Sequence, residues 1–177
     1  MYYSQIGQDA FIDTTFKKYF PDRVEGTFLD IGCQHYSEIN NTYFFESELN
    51  WRGIGIDIEE QYEQGWKDNR KNSLYVRGDA TTIDYGKLLA DNSMPRTIDY
   101  LSLDLEPPPL TLKALERLFE SGYSFNFVTY ETDYYRESSF GHGTLRQPSQ
   151  DIFKAAGYKL ISEGVQDDYY INSSLLD

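Results

Sequence analysis

Acidic side chains follow nearly every short apolar run in this sequence of 177 residues. The series consists of Asp30, Asp57, Asp79, Asp104, Glu106, Glu131 and Asp133, and Gly32 lies two residues after its first member. If the apolar runs are parallel strands, their carboxyl ends meet at one edge of a sheet, which is where open α/β sheets bind ligands. We therefore expect these carboxylates to line a single ligand crevice.

The chemistry of these residues narrows the class of ligand. A pyrophosphate group is bound by glycine-rich backbone at a helix N-terminus, but the first turn, residues 32–36 (GCQHY), has one glycine and does not match G-x-G-x-x-G. S-adenosylmethionine instead presents an ammonium group, a sulfonium, ribose hydroxyls and an adenine amino group, and carboxylates suit all of them. The series therefore favours S-adenosylmethionine over NAD, the cofactor of the competing redox interpretation.

Four members of this set have roles that can be stated individually. At the end of the second run, Asp57 could accept the hydrogens of both ribose hydroxyls, or it could cap the following helix. Asp79 could accept a hydrogen bond from the adenine amino group, or it could be an ordinary turn residue. Asp30 could orient the first turn or the ammonium end of the ligand, and Gly32 would let the backbone approach the ligand closely.

The carboxylates after the fourth and fifth runs predict a reaction site. Asp104 and Glu106 are two residues apart, so they would point the same way on a continuing strand. With Glu131 or Asp133 they could hold Mg²⁺ through oxygen ligands. Without a cation, one of them would be protonated and could serve as an acid–base group. Three consecutive prolines, residues 107–109, leave stiff backbone and short side chains to complete a coordination shell, which favours the site without metal.

The two histidines and the single cysteine are further candidates. His142 lies between glycines in a segment that could close over the crevice, and histidine is suited to general-base catalysis near neutral pH; the alternative is an exposed loop residue. His35, beside the first turn, has the same two interpretations. Cys33 is predicted to be a small buried residue rather than a nucleophile.

Alternation of short apolar runs with helical patterns predicts a mostly parallel sheet with crossover helices. Strands are predicted at 26–32, 53–57, 73–77, 98–104 and 125–131, and an edge hairpin at 158–162 and 168–172. Helices are predicted at 41–49, 59–69, 85–90, 110–121 and 151–156, with a loop over 137–150 and a helix start delayed by the prolines. The expected sheet order is 3-2-1-4-5-7-6, with antiparallel pairing confined to the last strand at the edge. No linker interrupts the chain, so residues 1–177 are expected to form one domain.

Several segments together resemble the FkbM-type methyltransferases. They are residues 4–9 (SQIGQD), 26–32 (GTFLDIG), Asn41 and Thr42 leading to Glu46, 51–57 (WRGIGID), 98–106 (IDYLSLDLE) and 157–158 (GY). The resemblance implies a Rossmann-like class I methyltransferase fold and transfer of a methyl group from S-adenosylmethionine to a hydroxyl of a sugar or another small molecule. It also implies that the cofactor pocket is lined or supported by Gln5, Gly7, Gln8, Asp30, Gly32, Asn41, Asp57 and Asp79.

Two segments differ from that family. Residues 33–36 (CQHY) are bulkier than the small residues usual after the first glycine, and the prolines at 107–109 replace a Gly-small-Glu sequence. These differences leave a second interpretation, in which a methyltransferase-like domain has lost catalysis and acts as a binding or assembly module. Carboxylates after all five strands favour the active enzyme.

Charge and composition limit the remaining function classes. The formal net charge of −13 at pH 7 predicts repulsion of nucleic acid and of anionic membranes, so a small molecule or a glycan is the expected partner. No run of apolar residues is long enough to span a membrane, and the first residues do not form a signal peptide. One cysteine cannot form an internal disulfide, which fits the cytoplasm. The oligomeric state is not indicated.

Overall fold

The computed structural model describes residues 1–134 and 145–176, and its centre is a seven-stranded sheet. The strands are β1 (Thr27–Ile31), β2 (Arg52–Asp57), β3 (Ser73–Arg77), β4 (Thr97–Leu103), β5 (Ser124–Glu131), β6 (Tyr158–Glu163) and β7 (Asp167–Asn172). Their order is β3-β2-β1-β4-β5-β7-β6, which confirms the predicted order. The first five strands pair in parallel, and β7 runs antiparallel to both β5 and β6. The carboxyl ends of β1 to β5 therefore share one edge of the sheet with the start of β7.

Helices cover both faces of this sheet. Within the described residues they are α1 (Gln8–Tyr19), α2 (Tyr43–Leu49), α3 (Glu63–Asn69), α4 (Tyr85–Asp91), α5 (Pro108–Phe119) and α6 (Arg146–Ala155), with single 3-10 turns at Glu60–Tyr62 and Ser173–Leu175. None of these described helices has the length and apolar character needed to cross a membrane.

Several helix starts differ from the sequence predictions, and three of these differences have a clear physical cause. The pattern does not predict α1, because polar side chains such as Asp9 and Asp13 occupy its buried face and interrupt the apolar stripe. The prolines do not delay α5, which begins at Pro108, because the first turn of a helix does not use those backbone N–H groups and proline has a suitable φ. α6 begins at Arg146, inside the predicted loop, where the Arg146 side chain is held by Asp168 of β7.

Alternate residues of each central strand point into two separate cores. Leu29 and Leu101 belong to the core beneath α4, α5 and α6, whereas Phe28 and Tyr100 belong to the core beneath α1 and α2. All five residues of β1 are buried, as expected for a parallel strand covered on both faces. This double cover holds the central strand ends in register at the edge where the carboxylates lie.

Phe153 of α6 provides a test of this packing. Its ring is fully buried and stacks on Tyr170 of β7 with centroids 3.9 Å apart, and it also meets the rings of Tyr130 and Phe119 edge-on. We expect Phe153→Ala to lower the free energy of unfolding by about 3–5 kcal/mol, because it removes a large buried ring and leaves a cavity. Urea unfolding followed by circular dichroism measures the loss. The exposed neighbour Lys154→Ala should cost less than about 0.5 kcal/mol, and an equal loss in both variants would contradict the packing.

Candidate functional site

A cavity of about 300 Å³ opens at the carboxyl ends of β1 to β4. Three residues predicted to contact a cofactor, Gly32, Asp57 and Asp79, line this cavity. Two residues predicted for the reaction site, Asp104 and Glu106, line it as well. The structure therefore brings members of both sets, predicted separately from the sequence, to one crevice.

Two backbone amides hold the Asp57 carboxylate at the edge of this cavity. One oxygen accepts the backbone N–H of Gln34 at 2.9 Å, and the other accepts the backbone N–H of Glu59 at 2.9 Å. These two bonds fix the plane of the buried carboxylate, and each oxygen keeps a second lone pair for a ligand hydroxyl. Asp57 thus both organises the start of the following turn and faces the cavity, so the two roles suggested by the sequence do not exclude each other.

Asp79, after β3, presents an exposed carboxylate to the same cavity. Its Oδ1 accepts hydrogen bonds from the Thr81 hydroxyl at 2.8 Å and from the Thr81 backbone N–H at 2.9 Å. These bonds, the hydroxyl bond first, lower the pKa of Asp79 below its ordinary value. The side chain is therefore ionised at neutral pH and can accept hydrogen bonds from amino groups.

Gly32 forms the floor of the cavity in a conformation that other residues cannot adopt there. Its φ is +84°, in the left-handed region, and its N–H donates to the carbonyl of Ile56 at 2.8 Å. A Cβ at this position would lie 1.7 Å from the carbonyl oxygen of Asp104. The turn after β1 and the end of β4 can approach each other this closely only because residue 32 has no side chain.

Asp30 and Asn41 lie beside the cavity rather than on its wall. The Asp30 carboxylate is buried and accepts the Thr42 hydroxyl at 2.7 Å. Burial raises the pKa of Asp30 to about 6, against the opposing effects of that hydrogen bond and of the Arg70 charge. Asn41 donates from Nδ2 to the Ser102 hydroxyl of β4 at 2.9 Å. Both residues therefore secure the segment that follows β1.

The bulky turn at 33–36 leaves the cavity open. Of its four residues only Gln34 lines the cavity. Cys33 is buried in a small core with the ring of Trp66, where burial raises the pKa of its thiol, so it is a poor nucleophile. His35 accepts the backbone N–H groups of residues 37 and 38 at Nδ1, so it caps this turn. Tyr36 packs beside the His35 ring.

The predicted N-terminal residues lie outside the cavity. Gln5 is exposed, and Gly7, with a φ of +88°, immediately precedes α1. Gln8 is buried and donates from Nε2 to Oδ2 of Asp167 at 2.9 Å. Gln8 therefore reaches, through Asp167, the edge of the sheet where β4 and β5 end. His142 lies outside the described residues.

A second group of carboxylates meets where β4 and β5 end and β7 begins. Glu131 is hydrogen-bonded to Asp104, and burial, that bond and the neighbouring negative charges raise the pKa of Glu131 far above its ordinary value. Asp167 lies directly opposite Glu131 in the β5–β7 register, and burial raises its pKa to about 7. Oxygens of Glu106, Glu131 and Asp133 lie within 4.8 Å of one another, which is close enough to share a cation.

Sequence reasoning missed Asp167. It searched the residues that follow strands, whereas Asp167 is the first residue of β7. Because β7 is antiparallel to β5, its beginning reaches the edge where the other strands end. The predicted antiparallel hairpin could have identified this residue, because the first residue of an antiparallel strand lies beside the carboxyl ends of the parallel ones.

Comparisons with known proteins agree with the topology. No protein-family model matches the chain, and no curated protein matches its sequence. Among solved structures, a protein described as a candidate rRNA methylase from Clostridium thermocellum is 14% identical, with a TM-score of 0.57 over 97% of both chains. A TehB-like SAM-dependent methyltransferase from Corynebacterium glutamicum is 12% identical, with a TM-score of 0.52 over 95% of this chain and 89% of that one. A human methyltransferase 10 domain containing protein is 10% identical, with a TM-score of 0.54 over 97% and 83%.

These neighbours and the observed strand order define the architecture. The chain has the Rossmann-like class I methyltransferase fold, with a seven-stranded mixed sheet in the order 3-2-1-4-5-7-6 and flanking helices. At these levels of identity the similarity concerns the fold.

Substitution of Gly32 tests the close contact beneath the cavity. Gly32→Ala should lower the free energy of unfolding by about 1–2 kcal/mol for the left-handed backbone and by about 1–3 kcal/mol more for the clash with Asp104. Gly157→Ala is the matched control, because Gly157 has a φ of +85° and no atom within 4 Å of its Cβ position. Urea unfolding of both variants separates the two effects, and equal losses would contradict the contact.

Proposed function

We propose that this protein is an S-adenosylmethionine-dependent methyltransferase of the FkbM type, and that it methylates a hydroxyl group of a sugar or another small molecule. The observation that supports this most strongly is the cavity at the strand ends, where the Asp57 carboxylate is fixed by two backbone amides above the floor formed by Gly32. The fold provides general support, because its neighbours include S-adenosylmethionine-dependent methyltransferases.

The cavity fits the chemical groups of this cofactor. Asp57 can accept the hydrogens of the ribose hydroxyls, and the ionised Asp79 can accept from the adenine amino group. The side chains of Ile58 and Leu110 also line the cavity and are 66% and 37% exposed. Apolar surface left open inside a crevice suits the faces of an adenine ring.

When bound, the cofactor supplies an electrophilic methyl group, and this chain must orient the acceptor and remove its proton. With its raised pKa, Glu131 is protonated at neutral pH and can donate a hydrogen bond to Asp104. Asp104 can then accept the proton of the acceptor hydroxyl, while Glu106 on the same wall helps to orient it. Alignment of the two reactants and exclusion of water account for the rest of the rate enhancement.

We propose that this chemistry proceeds without a metal ion. The carboxylates at the ends of β4 and β5 could bind Mg²⁺, which would lower the pKa of an acceptor hydroxyl. The segment after Glu106 consists of prolines, which add no oxygen-bearing side chain to a coordination shell. The hydrogen bond between Asp104 and Glu131 also relieves their repulsion without a cation.

The acidic surface limits the partner. The net charge of −13 disfavours nucleic acid and anionic membrane surfaces, so we propose a small molecule or a glycan as the acceptor and the cytoplasm as the location.

A second candidate function is a methyltransferase-like module that has lost catalysis and serves in binding or assembly. The prolines at 107–109 favour it, because they replace a glycine and a carboxylate beside the proposed reaction site. The retained carboxylates at the cavity favour the enzyme. Titration calorimetry with S-adenosylmethionine separates the two, because a module that no longer needs the cofactor has no reason to bind it.

The ribose assignment predicts the effect of Asp57→Ala. We expect wild-type protein to bind S-adenosylmethionine or its demethylated product with micromolar affinity, and Asp57→Ala to weaken binding by about 1–3 kcal/mol, because ligand hydroxyls lose their partner. Asp84→Ala is the matched control: Asp84 also accepts a backbone N–H, at the start of α4, but it lies outside the cavity. Unchanged affinity in Asp57→Ala would refute the ribose assignment, and binding of NADH in place of S-adenosylmethionine would refute the cofactor.

The reaction site predicts the response to a chelator. With a sugar hydroxyl as acceptor, we expect turnover to be insensitive to EDTA, to show a bell-shaped pH profile, and to be lost in the double variant Asp104→Ala, Glu106→Ala. The exposed pair Glu116→Ala, Glu120→Ala on and after α5 controls for the lost charge. Loss on chelation that Mg²⁺ restores would replace the metal-free mechanism with the metal-dependent one. Full turnover in the first double variant would exclude both.

A further inference from the structure

Residues 33–42, between β1 and α2, form a segment that we name the cofactor loop because its residue Gln34 lines the cavity. At its other end, Asn41 donates to Ser102 of β4. Beneath the loop lies Arg70, the residue after α3, whose side chain is fully buried. Arg70 belongs neither to the cavity wall nor to the reaction site.

The Arg70 guanidinium group is hydrogen-bonded mainly to the cofactor loop. Nη1 donates to the carbonyl of Tyr36 at 2.9 Å and to Oδ1 of Asn40 at 3.3 Å, and Nη2 donates to the Thr42 hydroxyl at 3.2 Å. Only Nε points elsewhere, to Glu46 of α2 at 2.5 Å. A single side chain from outside the cofactor loop therefore binds three residues of the loop.

A short series of contacts connects Arg70 with the cavity. The guanidinium carbon lies 4.1 Å from the centroid of a Trp66 ring. The indole N–H of Trp66 donates to the carbonyl of Gln34 at 2.9 Å. The backbone N–H of Gln34 in turn donates to the Asp57 carboxylate at 2.9 Å. The Gln34 amide, which donates to the Asp57 carboxylate, is thus connected to the packing around Arg70.

An arginine at position 70 indicates a role in positioning the loop rather than in stabilising the fold. A buried ion pair such as Arg70–Glu46 is weak evidence for stabilisation, because desolvation of the two charges offsets their attraction and apolar residues often serve as well. A guanidinium group, however, presents donors in fixed directions within one plane, so a single side chain can hold several acceptors at once. Lysine has the same charge but lacks this fork.

From these contacts we infer that Arg70 is a positioning residue for cofactor binding: it holds the cofactor loop so that the Gln34 backbone amide keeps the Asp57 carboxylate directed into the cavity. The inference rests on the proposed function, since it assigns Arg70 a part in the same cofactor site. It requires that Arg70 and Asp57 act together, because one residue fixes the orientation of the other.

A double-mutant cycle tests this coupling. Calorimetry gives the affinity for S-adenosylmethionine of wild-type protein, Arg70→Lys, Asp57→Ala and the double variant. We expect Arg70→Lys to weaken binding about tenfold, and Asp57→Ala to have a much smaller effect in the Arg70→Lys background than in wild type, since coupled residues are not additive. Hydrogen exchange without ligand provides a second measurement: the amide of Gln34 and its loop neighbours should exchange faster in Arg70→Lys, with the central strands unchanged.

Two further variants complete the test: one shows whether a general loss of stability is enough to weaken binding, and the other replaces Arg70→Lys if that variant does not fold. Asp99→Asn perturbs another buried polar network, at the opposite end of the sheet, where Asp99 accepts the backbone N–H of Thr27 and the side chain of Asn126. It should lower stability and leave both cofactor affinity and loop exchange unchanged. If Arg70→Lys does not fold, Trp66→Phe takes its place, because it keeps a ring beneath Arg70 and removes the bond to Gln34.

The outcomes separate this inference from the proposed function. Absence of S-adenosylmethionine binding in wild-type protein would overturn the proposed function and the cofactor role of Arg70 with it. Cofactor binding by wild-type protein, combined with unchanged affinity in Arg70→Lys or with fully additive effects, would overturn the Arg70 inference alone. Weakened, non-additive binding with faster loop exchange supports it.

Discussion

The contact between the turn after β1 and the end of β4 is the constraint on which the site depends. Gly32 approaches the carbonyl of Asp104 so closely that no side chain fits between them, and the Asp104 N–H donates to the carbonyl of Ile31 at 2.9 Å. This contact joins the part of the crevice that holds Asp57 to the part that holds Asp104. The proposed cofactor and its proposed acceptor can therefore share one cavity.

Around this contact, carboxyl groups lie in environments that shift their pKa values in opposite directions. Hydrogen bonds from Thr81 lower the pKa of the exposed Asp79, whereas burial and neighbouring carboxylates raise the pKa of Glu131. An ionised carboxylate, Asp79, therefore lies near the proposed adenine group, and a protonated carboxyl group, Glu131, lies near the proposed methyl acceptor. Acid and base roles are separated by environment rather than by residue type.

The buried polar network beneath the cofactor loop explains how a bulky turn is tolerated. Cys33 and Tyr36 pack toward Trp66 and α3 instead of into the cavity, and Arg70 satisfies the backbone carbonyl of Tyr36. Asp30 contributes from β1 through Thr42. The departure from small residues in this turn is thus compensated by packing on the side of the loop that faces away from the cavity.

The sequence by itself determined the strands, their order and the carboxylates at their ends. Apolar runs, helical spacing and turn residues are local signals, and the rules for parallel crossovers leave few topologies. Asp57, Asp79, Asp104 and Glu106 line the cavity, as the sequence predicted, because each lies at the end of a parallel strand or shortly after it.

Only the tertiary structure decided what lies around those strand ends. α1 escaped prediction because its buried face is partly polar, and one of those polar groups finds its partner far along the chain, in the bond from Gln8 to Asp167 across 159 positions. Asp167 reaches the site because β7 reverses direction, and Arg70 holds the cofactor loop from beyond α3. Local patterns do not encode such long-range contacts, because they form only when the sheet and both helical layers have assembled.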